Sequence, residues 1–268
     1  HDPANWTNGL GEAGVPAAGD QAVIAKNSTT VLLDAPTAPL AGLSLSGTST
    51  LLFTNWFTAL CVGSVTVGNQ AVVTCAGPFL SHPVMSNRVW IICGDLTVAA
   101  GGRVNVDGRG YQGGYVYQNG YGPGFGYYDR DGAGHGGRGG KGNGALTYSL
   151  VYGSASAPLH PGSGGGASHA NGSAGGGAVR VAASGLVRVD GTVSAAGITG
   201  QGSGSGGSIY ITCGDFDGTN TLNASGGAAG SSTYGGGGGG GIAVVYTNAA
   251  AQAALSPTPI FQLAARHN

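Results

Sequence analysis

The chain has 268 residues, of which 57 are glycine and 11 are proline. Because 41% of the residues are hydrophobic and only 8% are charged, the composition is opposite to that of disordered chains, and we expect an ordered protein. The formal net charge of -1 leaves no large basic surface, which argues against nucleic acid as a partner. No apolar run approaches the roughly 20 residues that a membrane-spanning helix needs.

Short runs rich in β-branched residues and bounded by turn formers predict strands along most of the chain. Strands are predicted at residues 21–25, 30–34, 43–46, 50–53, 71–75, 178–182, 191–195 and 242–246. Only residues 248–255 predict a helix, with Asn248 as its N-cap. Short strands at this regular spacing suit a sandwich, a barrel or a solenoid.

Two internal repeats narrow this choice. Residues 90–96 (WIICGDL) match residues 209–216 (IYITCGDF) through an apolar run followed by Cys-Gly-Asp. Residues 104–108 (VNVDG) similarly match residues 187–191 (VRVDG). A unit that recurs between long glycine insertions favours a solenoid, in which each coil buries its inward side chains against the next coil.

The glycine-rich insertions occupy residues 108–144, 162–177, 197–207 and 225–241, and the last of them ends in seven consecutive glycines. They can be flexible linkers, since glycine-rich chains behave as random coils. Alternatively, they pack side by side as polyglycine-II-like threads, because chains without side chains can approach closely enough to hydrogen-bond. The second arrangement requires nearly every amide to find a partner on a neighbouring thread.

Three glycine-bearing segments resemble the glycine-rich β-solenoid repeat proteins of microbial surfaces, including adhesin-like and autotransporter-passenger-like regions. These segments are residues 204–211 (GSGGSIYI), 222–227 (LNASGG) and 235–244 (GGGGGGGIAV). The resemblance implies an extracellular β-solenoid with a structural or adhesive role. The expected fold is therefore all-β, a right-handed parallel β-helix (solenoid) with long glycine-rich insertions.

Composition divides this expected fold into four parts. They are an N-terminal β-rich part (1–107), a Gly/Tyr-rich insertion (108–177), C-terminal solenoid coils with glycine tracts (178–248) and a C-terminal tail (249–268). A start at His1 is what an exported chain leaves after removal of its signal, and a trimmed chain would look the same.

Cysteine usage and glycosylation motifs also favour an extracellular or cell-surface location. An even number of cysteines in a lysine-poor chain fits an oxidising compartment, although buried free thiols are the alternative. The disulfide candidates, whose pairing stays open among three arrangements, are Cys61, Cys75, Cys93 and Cys213. The glycosylation candidates, each within an N-x-[ST] motif, are Asn5, Asn27, Asn171 and Asn223.

Residues that could perform catalysis are scarce, and we expect no enzyme. The motif D-x-D-G occurs twice, and paired carboxylates beside a glycine turn are suitable ligands for calcium. The candidate calcium ligands are Asp129, Asp131, Asp215 and Asp217. Neither motif completes an EF-hand loop, and simple Asp-Gly turns are the alternative.

An aromatic cluster interleaved with glycine predicts a contact surface, because tyrosine combines a flat apolar ring with a polar tip. Its members are Tyr111, Tyr115, Tyr117, Tyr121, Phe125, Tyr127 and Tyr128. Alternatively, these rings cover the solenoid or pin the glycine threads.

Together these features predict an extracellular structural protein, a self-assembling subunit of a surface fibre, sheath or adhesive layer. Its most favoured partner is another copy of itself, because the low charge limits repulsion and an open strand edge can template the next subunit. Surface glycans are a further candidate partner. The alternative function is a carbohydrate-binding or carbohydrate-cleaving β-helix, with a groove lined by the tyrosines and by Asp129, Arg130 or Asp131.

Overall fold

The computed structural model describes residues 6–7, 10, 12–80, 85–142, 148–219, 221–255 and 262–264. Within these ranges the chain forms sixteen strands and one helix, α1 (Ala249–Ala254). The strands are β1 (Gln21–Ile24), β2 (Thr30–Leu33), β3 (Leu40–Leu45), β4 (Thr50–Phe53), β5 (Leu60–Val67), β6 (Val72–Cys75), β7 (Val89–Val98), β8 (Arg103–Asn105), β9 (Ala178–Ala183), β10 (Leu186–Val189), β11 (Thr192–Ser194), β12 (Ser208–Cys213), β13 (Asp215–Asp217), β14 (Thr221–Asn223), β15 (Gly241–Tyr246) and β16 (Gln262–Ala264).

The strands form two sheets, and every pairing between named strands is parallel. The first sheet has nine strands, with the main order β1-β3-β5-β7-β9-β12-β15, and β10 and β13 pair beside this path. The second sheet has seven strands in the order β16-β14-β11-β8-β6-β4-β2. The chain thus alternates between the sheets up to β8, so that each strand pairs with one about two elements away in sequence.

Buried side chains from both sheets form a single apolar core. In the first sheet Leu45 pairs with Val67, Val67 with Val98, and Val98 with Val189, and all four residues are buried. The alternating burial of β1 and β10 follows from the two-residue period of a strand, which turns every second side chain toward the core. Stacking of β-branched and leucine side chains in rows therefore holds the strands in register.

The expectation of an all-β, right-handed β-helix solenoid is wrong. The chain forms two parallel sheets with little helix, 35% strand and 3% helix, rather than a strand-only β-helix. Long stretches between the strands are rich in glycine, and the chain from 106 to 177 contains no strand in its described parts. A strand pattern indicates which segments are extended, but it does not specify how the sheets close or what fills the space between them.

The individual elements are predicted more accurately than the fold. The predictions at 21–25, 30–34, 50–53 and 71–75 are confirmed by β1, β2, β4 and β6. The predicted helix is confirmed by α1, and the side chain of Asn248 accepts a hydrogen bond from the N–H of Ala251 (3.1 Å), as an N-cap does. Strand β5 was not predicted, because Gly63 and Ser64 interrupt its apolar pattern.

The two pairs of repeated sequences differ in whether their members lie in the same sheet. The first pair, 90–96 and 209–216, lies in the same sheet, in β7 and in β12 with β13. The second pair does not occupy equivalent places: residues 104–108 begin in β8 of the second sheet, whereas residues 187–191 begin in β10 of the first sheet. Similar sequences recur here because both sheets need valines on their core side.

Three glycine-rich segments continue directly into neighbouring strands of the first sheet. Residues 172–177 precede β9, residues 202–207 precede β12, and residues 235–240 precede β15. Gly176 donates its N–H to the carbonyl of Ser205 (2.9 Å). These segments therefore stay side by side beyond the end of the sheet.

Hydrogen bonds in the glycine-rich part follow a period of three residues. In segment 162–167, Gly162 and Gly165 donate to the same neighbouring segment, at Gly176 (2.7 Å) and Ser173 (2.9 Å). Gly164 and Ala167, also three residues apart, donate to a second neighbouring segment, at the carbonyls of Tyr121 and Gln118. Gly166 donates to the carbonyl of Asp131 on a further neighbour. The segment is thus surrounded by partners on several sides, as buried backbone requires.

Close backbone approach explains why glycine occupies these positions. A Cβ added at Gly166 would overlap the carbonyl of Tyr127, and one added at Gly164 would overlap the carbonyl of Gln112. Both glycines are buried. The glycine-rich part is therefore packed backbone against backbone, with no room for larger residues at these sites.

Candidate functional site

The structure divides the predicted aromatic contact surface into buried and exposed rings. Tyr111 is only 2% exposed and makes an edge-to-face contact with Phe79, with ring centroids 4.8 Å apart. A Cβ at Gly122 would overlap its ring, so Tyr111 fills space that glycine leaves open. The half-buried members are Tyr121, Phe125 and Tyr127, and the exposed members are Tyr115, Tyr117 and Tyr128. The seven rings therefore do not form one surface.

One exposed ring belongs to what we call the tyrosine–arginine patch, formed by Tyr117, Arg130, His169 and Tyr234. Tyr117 is 63% exposed and contacts the ring of His169 edge to face at 5.5 Å between centroids. Arg130 donates to Nδ1 of His169 (3.2 Å) and lies 5.6 Å from the ring centroid of Tyr234. Tyr117 and Arg130 both have positive φ, at 61° and 71°, a conformation rare outside glycine.

The two D-x-D-G motifs are not brought together into a calcium site. Asp131 is buried, and its Oδ1 accepts a hydrogen bond from the N–H of Gly142 (2.6 Å), while burial raises the pKa of this carboxyl. Asp217 pairs with Arg188 (3.0 Å), and Asp215 lies in β13. Among the described residues, no group of three His, Cys, Asp or Glu side chains could hold a metal ion.

Two of the residues predicted to line a sugar groove already have other contacts. Asp131 is turned into the protein, and Arg130 is engaged by His169 and Tyr234. Asp131 is therefore not exposed at the surface where a sugar groove would bind its ligand.

The four cysteines are free thiols, so the predicted disulfides are not formed. Cys93 pairs with Ala183 across β7 and β9, and Cys213 lies on β12, on the far side of β9. One intervening strand separates these two cysteines by about 9.6 Å, beyond the roughly 7 Å between Cα atoms that a disulfide tolerates. Burial raises the pKa of the Cys75 and Cys93 thiols to about 12 and that of Cys213 to about 11.

The glycosylation candidates differ in accessibility. Asn27 and Asn171 are exposed. Asn223 is half-buried at the end of β14, and its side-chain amide donates to the hydroxyl of Ser194 (3.3 Å), so its nitrogen is already engaged. Asn5 lies outside the described residues.

A buried histidine in the glycine-rich part was not singled out by its sequence spacing. His135 is 1% exposed, its Nδ1 donates to the carbonyl of Gly206 (2.8 Å), and its ring lies 4.5 Å from that of Tyr152. Burial lowers the pKa of His135 to about 4. The hydroxyl of Tyr152 in turn donates to the carbonyl of Pro161 (2.6 Å). In the sequence, only the position of His135 among glycines indicates that its ring packs against backbone.

The terminal strands of the first sheet have an open edge. Among the described residues β1 pairs only with β3, and β15 only with β12. β15 contains no charged residue, its Ile242 and Val244 are half-buried, and its Val245 and Tyr246 are exposed. An apolar strand with an unpaired edge is a template for another chain.

A cavity that is partly open to solvent lies at the opposite end of the sheets. This cavity of about 720 Å³ lies beside β1 and β2. Ala22 and Ile24 line it from β1, and Val31 and Leu33 line it from β2. Trp6, Val15 and Pro16 of the N-terminal segment line the same cavity, so it lies between this segment and the inward side chains of the first strands.

A different strand edge is covered within the chain. Gln252 of α1 donates its amide to the carbonyl of Phe216 in β13 (2.8 Å), and its Oε1 accepts from the N–H of Phe216 (2.7 Å). This side chain replaces the hydrogen bonds of a neighbouring strand. The edge of β15 receives no such cover from the described residues.

Comparison with protein-family models, with curated proteins and with solved structures finds no match to this chain. Among the described residues, no helix has the length and apolar character needed to cross a membrane. The function is therefore argued from the strand ends and the surface residues.

Proposed function

We propose that the protein is a structural subunit that self-assembles head to tail through the terminal strands of its sheets. The observation that carries this proposal is the edge of β15, which has no charged residue and pairs only with β12 among the described residues, together with the cavity beside β1 and β2 at the other end. The occupant of each end is the opposite end of a second copy.

Strand direction favours this contact between the opposite ends of two copies. Because all strands of the sheets are parallel, placing β1 of one copy beside β15 of another continues the same pairing without reversing the chain direction. The two joined surfaces are different, so the contact is heterologous and does not close by itself. A fibre or layer is the expected product.

Burial supplies the driving force for association. Ile242 and Val244 are half-buried in one copy and would face the cavity lined by Ile24, Val31 and Leu33 in the next copy. Full burial of such a side chain contributes about 1.5–3 kcal/mol relative to exposure. A net charge of -1 leaves little repulsion between subunits.

The proposed location is the cell surface, where the subunit would form a fibre, sheath or adhesive layer. This location is supported by the sequence resemblance and the lysine-poor composition. The four free thiols add no support for an oxidising compartment.

The test uses one charged substitution at each end. Val31→Asp places a carboxylate in the β2 end, and Val244→Asp places one in β15. Both sites are half-buried in the single copy and would become buried in the joint, where an unpaired carboxylate costs several kcal/mol. Tyr128→Asp, at an exposed ring in the glycine-rich part, is the matched control.

Sedimentation velocity and electron microscopy over a concentration series then separate the outcomes. We expect polymers for the unchanged protein and for Tyr128→Asp, and monomers for each end variant alone. An equimolar mixture of Val31→Asp and Val244→Asp keeps one compatible pair of ends, so it should form dimers and stop there. Monomers of the unchanged protein at all concentrations, with circular dichroism showing a folded chain, would overturn the proposal.

A further inference from the structure

A buried arginine lies between two tryptophan rings on the first sheet. Arg88 immediately precedes β7, and its guanidinium carbon is 4.7 Å from the ring centroid of Trp56 and 4.3 Å from that of Trp90. Trp56 belongs to the connection between β4 and β5. The two rings hold the cation by cation–π contacts and fix its position.

A second arginine shares one of these rings. Arg180 on β9 pairs with Trp90 on β7, and its guanidinium carbon lies 4.8 Å from the Trp90 ring centroid. Two positive charges are therefore held beside the same indole, on central strands of the sheet. Like charges that are close together repel each other, and an anion between or beside them offsets this repulsion.

The described residues provide no acidic partner for this pair. Among the described residues no ion pair includes Arg88 or Arg180, whereas Arg188 pairs with Asp190 (2.6 Å) and Asp217 (3.0 Å). Burial, and secondarily the charge of Arg180, lowers the pKa of Arg88 to about 10, which leaves it protonated at neutral pH. The charge of Arg88 is thus present, and no ion pair within the described residues neutralises it.

At this site, two buried groups without a hydrogen-bond partner among the described residues are donors. Arg88 is 6% exposed, and its Nε is buried with no acceptor within the described ranges. The indole Nε1 of Trp90 is likewise buried, and no described residue accepts a hydrogen bond from it. A buried donor without an acceptor is destabilising, and both arginine and indole can only donate. The missing group is therefore an acceptor.

We propose that Arg88 and Arg180, framed by Trp56 and Trp90, form a binding site for an oxyanion. Carboxylate, sulfate and phosphate groups share the required chemistry, because each presents several acceptor oxygens and a negative charge to guanidinium donors. The source is either a free inorganic anion or the acidic group of a saccharide. The site lies on central strands and does not depend on the assembly of subunits.

Tryptophan fluorescence provides the binding assay, since two of the three tryptophans border the site. The probes are sodium sulfate, sodium phosphate and glucuronate, each titrated at constant ionic strength with chloride as the balancing ion. Arg88→Gln and Arg180→Gln remove the charges one at a time. Arg188→Gln, at an exposed arginine paired with aspartates, is the matched control.

We expect a saturable fluorescence change with at least one probe, weakened about tenfold or more in Arg88→Gln and Arg180→Gln and unchanged in Arg188→Gln. Tighter binding of glucuronate than of sulfate and phosphate would assign the site to acidic saccharides, and the reverse order to free anions. Because Arg180 is only half-buried, its variant keeps the test informative if Arg88→Gln does not fold. The proposal is overturned if no probe gives a saturable change, or if Arg188→Gln weakens binding as much as the other variants do.

Discussion

The two-sheet part and the glycine-rich part of this protein reach similar burial by opposite means. In the sheets, rows of leucine and valine fill the space between the strands, as in Leu45, Val67 and Val98. In the glycine-rich part the backbone itself fills the space, and buried segments such as 162–167 hydrogen-bond to neighbours on several sides. Stability therefore depends on side-chain volume in the first part and on the absence of side chains in the second.

Removal of side-chain volume tests the first half of this comparison. Leu96→Ala empties a position that is 1% exposed in the core, and we expect the free energy of unfolding to fall by about 4 kcal/mol. Leu32→Ala, at an exposed leucine on β2, should change it by less than about 0.5 kcal/mol. Denaturant unfolding monitored by circular dichroism measures both. Equal losses would show that the sheets are not held by their core.

Addition of one methyl group tests the second half. Gly166→Ala forces a Cβ into the carbonyl of Tyr127, and we expect a loss of about 3 kcal/mol. At Gly137 the nearest atom to an added Cβ is the nitrogen of Gly239 at 3.5 Å, an ordinary contact. Gly137→Ala should therefore stay within about 1 kcal/mol of the unchanged protein. The same denaturant unfolding assay measures both variants. An unchanged free energy of unfolding in both would contradict backbone-to-backbone packing.

Acid should weaken the glycine-rich part through His135. Because burial lowers its folded-state pKa to about 4, below the ordinary value of 6.5, the unfolded chain binds the proton first as the pH falls. The free energy of unfolding that the neutral ring contributes at neutral pH is therefore lost as the pH falls from the ordinary pKa through about 4. About 2 kcal/mol of it should be lost between about pH 7 and pH 5. Comparison with His135→Gln isolates this contribution from that of the carboxylates. An identical pH profile for the two proteins would show that His135 has no part in it.

Thiol labelling in the native protein distinguishes the buried cysteines from the partly exposed one. Cys75, Cys93 and Cys213 are buried, and their raised pKa values disfavour the reactive thiolate. Cys61 is partly exposed, so iodoacetamide should label it first in the native protein. Peptide mass spectrometry gives the order, and all four should react once denaturant is added. Early labelling of Cys93 in native conditions would indicate that β7 opens.

Several local features could be read from the sequence because they depend on neighbours along the chain. The alternation in β1 and the N-cap of α1 at Asn248 are such features. Strand β5 was missed because Gly63 breaks its pattern, and this glycine is needed only because the carbonyl of Ala41 lies beside it on the neighbouring strand. A contact across strands leaves no local signal.

The functional predictions depended still more on contacts distant in sequence. The aromatic cluster was visible as composition, but only packing decided that Tyr111 is buried and Tyr117 exposed. The Arg88 site was not predicted, since Trp56 and Arg180 lie far from it along the chain. Whether a charge has an acidic partner depends on residues that are distant in sequence, so no short motif predicts it.

By itself, the sequence determined that the chain is ordered, rich in short strands and low in charge, because composition and the two-residue period act locally. Tertiary structure alone decided that the strands form two parallel sheets and that the cysteines stay apart. It also decided that the glycine segments are packed. Glycine has no side chain that could predict which carbonyl its N–H will bind, and this partner is fixed only when segments such as 172–177 and 202–207 lie beside each other.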